Sequence, residues 1–351
     1  MRATALRREG NKMESKVLIT VGIPTYNRLH YLKEAVASAI AQTYSNIEIL
    51  ISQNPHAEHR IRDEIADYCQ SLAARDPRVR YELRSENRGP SENHQWVFEH
   101  ARGDYVMLIG DDDRLVPSAI ETLASAILPG VSVVFGRRYT IDAEGRRQAR
   151  YVVPRNPDAS FFASWPYSQY EVPPGVLRDA ELWAWRQAMG VEASIIRTEV
   201  FGRVRYRQDL DIPDFPFFVD LARKGDKFFF VPKYVTEYRF HPNSTTGRGF
   251  VHYRELFDYL EPLSVRAEIE PYKGKFLRML AFRAASKVLL TGDVDYVRRL
   301  LASKYYPADL RTGSKGFLIK ASAALPGNLG AHAYSLLYAI RFGHRYRRAS
   351  V

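Results

Sequence analysis

The chain has 351 residues, with 51 Lys and Arg against 40 Asp and Glu, a net charge of +11, and 46% apolar residues. That apolar share supports a packed core, and the lone Cys69 excludes an internal disulfide or a thiolate metal cluster, as suits a reducing cytoplasm. The positive balance favours a polyanionic partner (nucleic acid, anionic lipid or a phosphate-bearing substrate), and no segment has the length and uniform apolarity of a membrane span.

Residues 1–15 are basic and polar and lack the apolar core of a signal peptide, so a disordered extension is expected there. From Lys16 to Phe135, short apolar or β-branched runs alternate with helical stripes. Strands are expected at Val17–Ile23, Ile47–Ser52, Val79–Leu83, Tyr105–Ile109 and Val131–Phe135. Leu29, Leu32, Val36, Ala39 and Ile40 recur at helical spacing behind Asn27 as a cap. Ile61, Ile65, Tyr68 and Leu72 form a second stripe that carries Cys69 into the core. Val116, Ile120, Leu123 and Ile127 form another, with Pro117 in the first turn. Such alternation implies parallel strands covered by helices on both faces. Ligands of these sheets bind beyond the carboxyl ends of the strands. Pro24-Thr25-Tyr26-Asn27, Gln53-Asn54-Pro55 and Asp111-Asp112-Asp113 all follow strands directly, so one crevice should gather them.

Asp142-Ala143-Glu144-Gly145 reads as a hairpin turn. An aromatic, Pro-rich stretch follows, holding Tyr151, Phe161, Phe162, Trp165, Tyr167, Tyr170, Pro173 and Pro174. It is either a flap facing an acceptor sugar or a surface excursion whose rings plug back into the core. Val176–Phe250 returns to mixed structure, and the remainder is mainly helical. Near the end, Phe317, Leu318, Ile319, Leu325, Leu336, Leu337 and Ile340 interleave with Lys315, Lys320, Arg341, Arg345, Arg347 and Arg348. Basic amphipathic helices of this kind lie in anionic membrane interfaces. The alternative is a helical pair packed on the preceding domain with a solvated basic face.

Three adjacent carboxylates at the end of a buried strand repel one another unless a cation neutralises them. All-oxygen ligands select hard ions such as Mg²⁺ or Mn²⁺. A solvated acidic turn capping the next helix is the plainer reading. Tyr26 offers a ring for stacking on a nucleobase, with the backbone at Pro24 and Thr25 able to address the base edge. Arg88 stands in a Gly-containing loop, where a guanidinium meets a diphosphate or simply solvent.

Several segments together carry a specific likeness. They are Val21-Gly22-Ile23-Pro24-Thr25-Tyr26-Asn27-Arg28 with Leu32, Ser38 and Gln42; Asn87-Arg88-Gly89 with Asn93; and Ala101-Arg102-Gly103-Asp104-Tyr105-Val106 before the Asp triplet. Downstream come Asp214–Gly225 and Tyr238-Arg239-Phe240-His241-Pro242-Asn243-Ser244. In order and spacing, over Val17–Ser244, this resembles the family-2 glycosyltransferases of GT-A fold. The resemblance implies an α/β, Rossmann-like, mostly parallel sheet flanked by helices. The expected catalytic domain is 16–250, divided into a nucleotide-binding half (16–135) and an acceptor half (136–250). A helical C-terminal region (251–351) would follow.

It further implies inverting transfer from a nucleotide-diphosphate sugar, UDP foremost, to a hydroxyl of a saccharide or lipid-linked saccharide, with Mn²⁺ or Mg²⁺. The expected setting is cell-surface polysaccharide or glycolipid synthesis in the cytoplasm, peripheral to the inner membrane. Nucleic acid is not an expected partner, and nothing in the resemblance fixes the oligomeric state. Carried onto this chain, Pro24, Thr25, Tyr26 and Asn27 hold the nucleoside, and Arg88 and Arg239 face the diphosphate. Gln53 stands where the family usually has an Asp accepting the uracil N3–H, which leaves cytidine, thymidine and guanosine sugars open. Asp112 is the principal metal ligand, with His241 and an auxiliary Asp113, and Asp111 takes the ribose or a metal-bound water. The usual Asp-x-Asp would begin at Gly110, so the acidic cluster here is shifted. Asp214 takes the position of the catalytic base, with Pro213 where a Glu often stands, and Asp209 and Asp211 compete for the role. A sugar nucleotidyltransferase would want a Gly-rich, basic loop after the first strand, which Pro24–Asn27 is not. A non-catalytic basic protein binding nucleic acid or lipid would not need the acidic triplet.

Overall fold

The computed structural model describes residues 17–148, 169–207, 209–210, 212–241, 244, 253–307, 314–326 and 329–346. The N-terminal extension and most of the aromatic, Pro-rich stretch, read either as a flap or as a surface excursion, lie outside these residues.

The first half of the chain is built from alternating strands and helices. β1 (Ile19–Thr25), β2 (Ile47–Gln53), β3 (Val79–Leu83) and β4 (Tyr105–Leu108) pair in parallel, with β1 between β2 and β4. Their crossovers are α1 (Leu29–Ile40), α2 (His59–Ala73) and α3 (Pro90–His100). Short β5 (Arg114–Leu115) and α4 (Ala119–Ala124) lead into β6 (Val131–Ile141), and β7 (Gly175–Val176), β8 (Ser194–Arg197) and β9 (Lys227–Arg239) complete the sheet. Its order is β3-β2-β1-β4-β8-β6-β9-β5, with β7 on β9; β8 runs antiparallel between β4 and β6, and β6 and β9 are parallel. The result is a mostly parallel α/β sheet with helices on both faces.

Side-chain alternation along each strand divides the core in two. Ile49, Ile51, Tyr105 and Met107 face a layer holding Leu32, Val36, Ile65 and Cys69, while Leu50, Val106 and Leu108 face Trp96, Val97 and Phe98 of α3. Gly22 makes the second contact close: a Cβ there would fall 2.2 Å from Val97 Cγ1. Cys69 is buried and unpaired, and burial pushes its thiol up to about 12, which leaves it inert.

Two helix starts differ from the sequence pattern. Arg28, not Asn27, occupies the cap position of α1, and no side chain caps it. α4 begins only at Ala119 behind Ser118, so Pro117 precedes the helix; Val116 instead donates its N–H to Val235 O beside the β5–β9 ladder. The turn at Asp142–Gly145 is present, closed by Gly145 N–H to Asp142 O at 3.0 Å with Gly145 at φ +80°.

Beyond the sheet come α5 (Ala180–Trp185) and α6 (Asp214–Arg223), then α7 (Tyr253–Leu260), α8 (Glu270–Thr291), α9 (Val294–Ala302), α10 (Ser314–Ala324) and α11 (Leu329–Tyr346). Leu256, Phe257, Phe276, Leu277 and Leu280 join the α3 side of the core through Phe215 and Phe217. None of the described helices is long and apolar enough to cross a membrane.

Candidate active site

The carboxyl ends of β1, β2 and β4 and the starts of α3 and α6 surround one cavity of about 380 Å³. Pro24, Thr25, Tyr26, Asn27, Asn54, Asp111, Asp112, Asp113, Asp214 and Arg239 all line it. Parallel strands place these loops at one edge although more than a hundred residues separate them.

The acidic loop is held from every side. Thr25 Oγ1 donates to Asp111 Oδ2 at 2.7 Å, and Arg28 spans the first two acids, Nη2 on Asp111 Oδ1 and Nη1 on Asp112 Oδ2. His241 Nε2 lies 3.0 Å from Asp112 Oδ2 and 3.2 Å from Arg28 Nη1. Asp113 instead faces backbone, accepting from Arg239 N at 2.8 Å and Gly110 N at 3.3 Å. The three carboxyls share charge unequally. Burial pushes Asp111 up to about 6 against the opposing pull of Arg28. Burial, reinforced by the charge of Asp112, holds Asp113 well above the usual range. Asp112 also feels burial, but the His241 hydrogen bond and the Arg28 charge outweigh it and its carboxyl is lowered. Asp112 is therefore the most readily ionised of the three.

Asp112 and His241 fit a divalent ion. Adjacent ligands around an octahedral ion with bonds of about 2.1 Å stand roughly 3.0 Å apart, the separation of Asp112 Oδ2 and His241 Nε2. Asp113 lines the same cavity with each oxygen accepting one backbone N–H, from Arg239 and from Gly110. No group of three or more His, Cys, Asp or Glu among the described residues surrounds a metal position. The remaining ligands would have to come from diphosphate oxygens and water, as is usual for these ions.

Asp214 opens α6 directly after Pro213, and burial raises its carboxyl above the usual range. Its competitors fare differently. Asp209 is paired with Arg207, whose hydrogen bond lowers its pKa. Asp211 lies outside the described residues.

Three of the expected site residues are engaged with protein groups. Gln53 is fully buried behind the cavity, donating to Arg62 O at 2.8 Å and accepting from Tyr81 OH at 2.6 Å. Side chains alternate along β2, so its last residue points into the α2 layer while Asn54 turns into the cavity. Arg88 is exposed and paired with Glu86, away from the cavity. Arg239 lines the wall, but its guanidinium is committed: Nε to Asp112 O at 2.6 Å, Nη1 to Ala143 O at 3.0 Å and Nη2 to Glu34 Oε2 at 2.6 Å. It fastens the acidic loop to α1 and to the turn at Asp142–Gly145.

Other residues of the cavity had no role assigned from the sequence. Asn54 Nδ2 donates to Asn87 Oδ1 at 3.0 Å and Gly89 O at 3.1 Å, while the buried Oδ1 has no partner among the described residues. Arg28, next in line after Asn27, lines the cavity as the cation paired with Asp111 and Asp112. His94 and Tyr206, 3.3 Å apart, and Glu192, paired with Arg138, complete the wall. His94 sits one residue beyond Asn93 on α3, whereas Val191-Glu192-Ala193 gives no local signal.

Residues 20–176, spanning β1 to β7 and the whole acidic loop, match the family model described as Glycosyl transferase family 2. This segment is a family-2 glycosyltransferase domain. Among curated relatives, the GalNAc(5)-diNAcBac-PP-undecaprenol beta-1,3-glucosyltransferase of Campylobacter jejuni is 30% identical over 128 residues, 36% of this chain and 40% of that protein. Glycosyltransferase GlyG of Streptococcus pneumoniae is 32% identical over 127 residues, again 36% of this chain and 40% of the relative. The chain thus matches less than half the length of these relatives. Among solved structures, S. aureus TarS 1–349 aligns over 93% of this chain and 91% of its own at 14% identity and TM-score 0.53, and has also been solved in complex with UDP-GlcNAc. Mannosyltransferase PcManGT from Pyrobaculum calidifontis, in complex with GDP-Man and Mn²⁺, aligns over 95% of this chain and 83% of its own at 16% identity and TM-score 0.52. These likenesses establish a GT-A-like fold. The family-2 domain contributes the acidic loop, Arg28 and Asn54, while Asp214 and His241 come from the chain beyond it.

Proposed function

We propose that the protein is an inverting glycosyltransferase acting from a nucleotide-diphosphate sugar, UDP-linked foremost, on a hydroxyl of a saccharide acceptor. The observation that carries this reading is the meeting in one cavity of Asn54, whose Oδ1 has no partner among the described residues, of Asp112, which His241 backs at 3.0 Å, and of a raised carboxyl, Asp214. Asn54 Oδ1 accepts from a base N–H such as uracil N3–H, and Tyr26 covers the base face. Asp112 and His241 would hold Mn²⁺ or Mg²⁺, which when bound would offset the charge developing on the departing diphosphate. Asp214 takes the proton of the acceptor hydroxyl as that oxygen bonds the anomeric carbon and the bond to diphosphate breaks. One displacement inverts the anomeric configuration. Asp111, with Thr25 and Arg28, fixes the floor on which the ribose rests.

The acceptor we favour is lipid-linked, the class named for the Campylobacter relative, in cytoplasmic synthesis of a cell-surface glycan. A thermal-shift panel of nucleoside diphosphates, with and without Mn²⁺, tests the donor reading, since a ligand that binds only the native state raises its stability. A Mn²⁺-dependent shift for one base is expected. Uniform insensitivity across the panel would remove it.

A further inference from the structure

We propose that the α10–α11 hairpin is a docking surface for an anionic lipid bilayer. The two helices approach closely: a Cβ on Gly330, in the first turn of α11, would fall 2.0 Å from Ser322 O of α10. One face of the pair is well seated, with Ile319, Ala323, Ala331 and Tyr334 buried and Tyr334 OH 2.8 Å from Ser286 Oγ of α8. The opposite face should be polar in a helix that meets only water. It is not. On α11, Leu329, Leu336 and Ile340 stand 63%, 64% and 66% exposed at helical spacing, and Phe317 of α10 is 64% exposed. Ala321 and Ala324 extend the Phe317 stripe on the same side of α10. Both helices are therefore apolar on both sides, the signature of a surface that another apolar phase covers.

Charge identifies that phase. From Leu310 to Val351 the sequence has seven Lys and Arg and no Asp or Glu, so this segment carries most of the chain's net +11. An exposed apolar stripe inside a wholly cationic segment matches a bilayer interface with anionic headgroups, where acyl chains take the apolar residues and phosphates take the cations. A second copy of the chain would bring two such cationic segments face to face. A nucleic acid would leave the apolar stripe in water. The inference does not depend on the catalytic reading, and its test measures lipid binding alone.

The full-length protein is sedimented with vesicles of phosphatidylcholine and of phosphatidylcholine with phosphatidylglycerol, at low and high salt. Partition onto the anionic vesicles at least tenfold above the neutral ones, weakened by salt, is expected. The variant Phe317→Ser/Leu336→Ser/Ile340→Ser changes only exposed side chains; it should keep its melting temperature and lose at least tenfold in partition. Absent binding to anionic vesicles, equal binding to both lipids, or undiminished binding by a folded variant would each overturn the proposal. So would a wild-type dimer in analytical ultracentrifugation that the same variant dissociates.

Discussion

Replacing Asp214 by Asn separates its chemical role from its structural one. The carboxyl opens α6, lines the cavity and is raised above the ordinary range chiefly because burial removes its water; its own backbone N–H and the charge of Arg138 only partly offset this. Asn has nearly the same volume and keeps an acceptor for the helix N-terminus. It also removes a charge that burial disfavours. The sign follows from proton linkage: with the folded pKa raised, the native state binds its proton more tightly than the unfolded chain. The carboxylate therefore costs stability as pH rises past its unfolded pKa. At pH 7 the variant should melt no lower than the wild type. Losing a positioned general base typically costs 10²–10⁴-fold in rate, roughly 3–5 kcal/mol of transition-state stabilisation. Sugar transfer from donor, to a saccharide or to water, would be followed by nucleotide release, and donor affinity by calorimetry. The expected outcome is a rate at least about a hundredfold lower with donor affinity and melting temperature preserved. The wild-type rate should fall on the acid side at a pH above the ordinary carboxylate range. Turnover of the variant within about tenfold of wild type, or a loss that tracks lost donor binding, would refute the assignment.

Other residues give distinct signatures. Asn54→Ala should weaken donor binding about tenfold, the worth of one hydrogen bond to a buried acceptor, with little effect on the rate at saturation. Gln53→Ala should instead lower the melting temperature, because it strands Tyr81 OH and Arg62 O. Arg239→Gln should cost roughly 2–4 kcal/mol in denaturant unfolding and abolish donor binding through the collapsed acidic loop. If Arg239 acted only on phosphate, its loss would leave stability intact. His94, held down to about 4 by burial, stabilises the fold above its unfolded pKa and loses that contribution as pH falls towards 4. The loss should be roughly 1–3 kcal/mol, and a His94→Gln variant should show a flatter acid limb in urea titrations.

The parallel frame was legible because buried strands such as Tyr105-Val106-Met107-Leu108 and helical stripes such as Leu32–Val36 are written locally. The rule that ligands gather at strand ends then brought Thr25, Asn54, Asp112 and, with the motif at Asp214, most of the cavity into one place. Longer-range choices were not written locally. The insertion of β8 antiparallel between β4 and β6 depends on pairings far apart in the chain, such as Tyr105 with Arg197 and Val133 with Ile196. Gln53 and Asn54 differ by a single step at the end of β2, and that step decides which of them faces the cavity. Arginine placement was the least legible. Arg28, Arg88 and Arg239 have the same chemistry in sequence, and only the surrounding acids decide their roles. Arg28 meets Asp111 and Asp112, Arg239 meets Glu34 and the carbonyls beside the acidic loop, and Arg88 meets Glu86 in solvent.

The most direct measurement is a crystal structure with a nucleoside diphosphate and Mn²⁺, using anomalous scattering to locate the metal. A manganese peak about 2.2 Å from an Asp112 carboxylate oxygen and from His241 Nε2, bridging the diphosphate, with the base edge on Asn54 Oδ1, is the predicted result. A nucleotide bound elsewhere, or one bound here with its diphosphate clear of Asp112 and His241, would contradict the account.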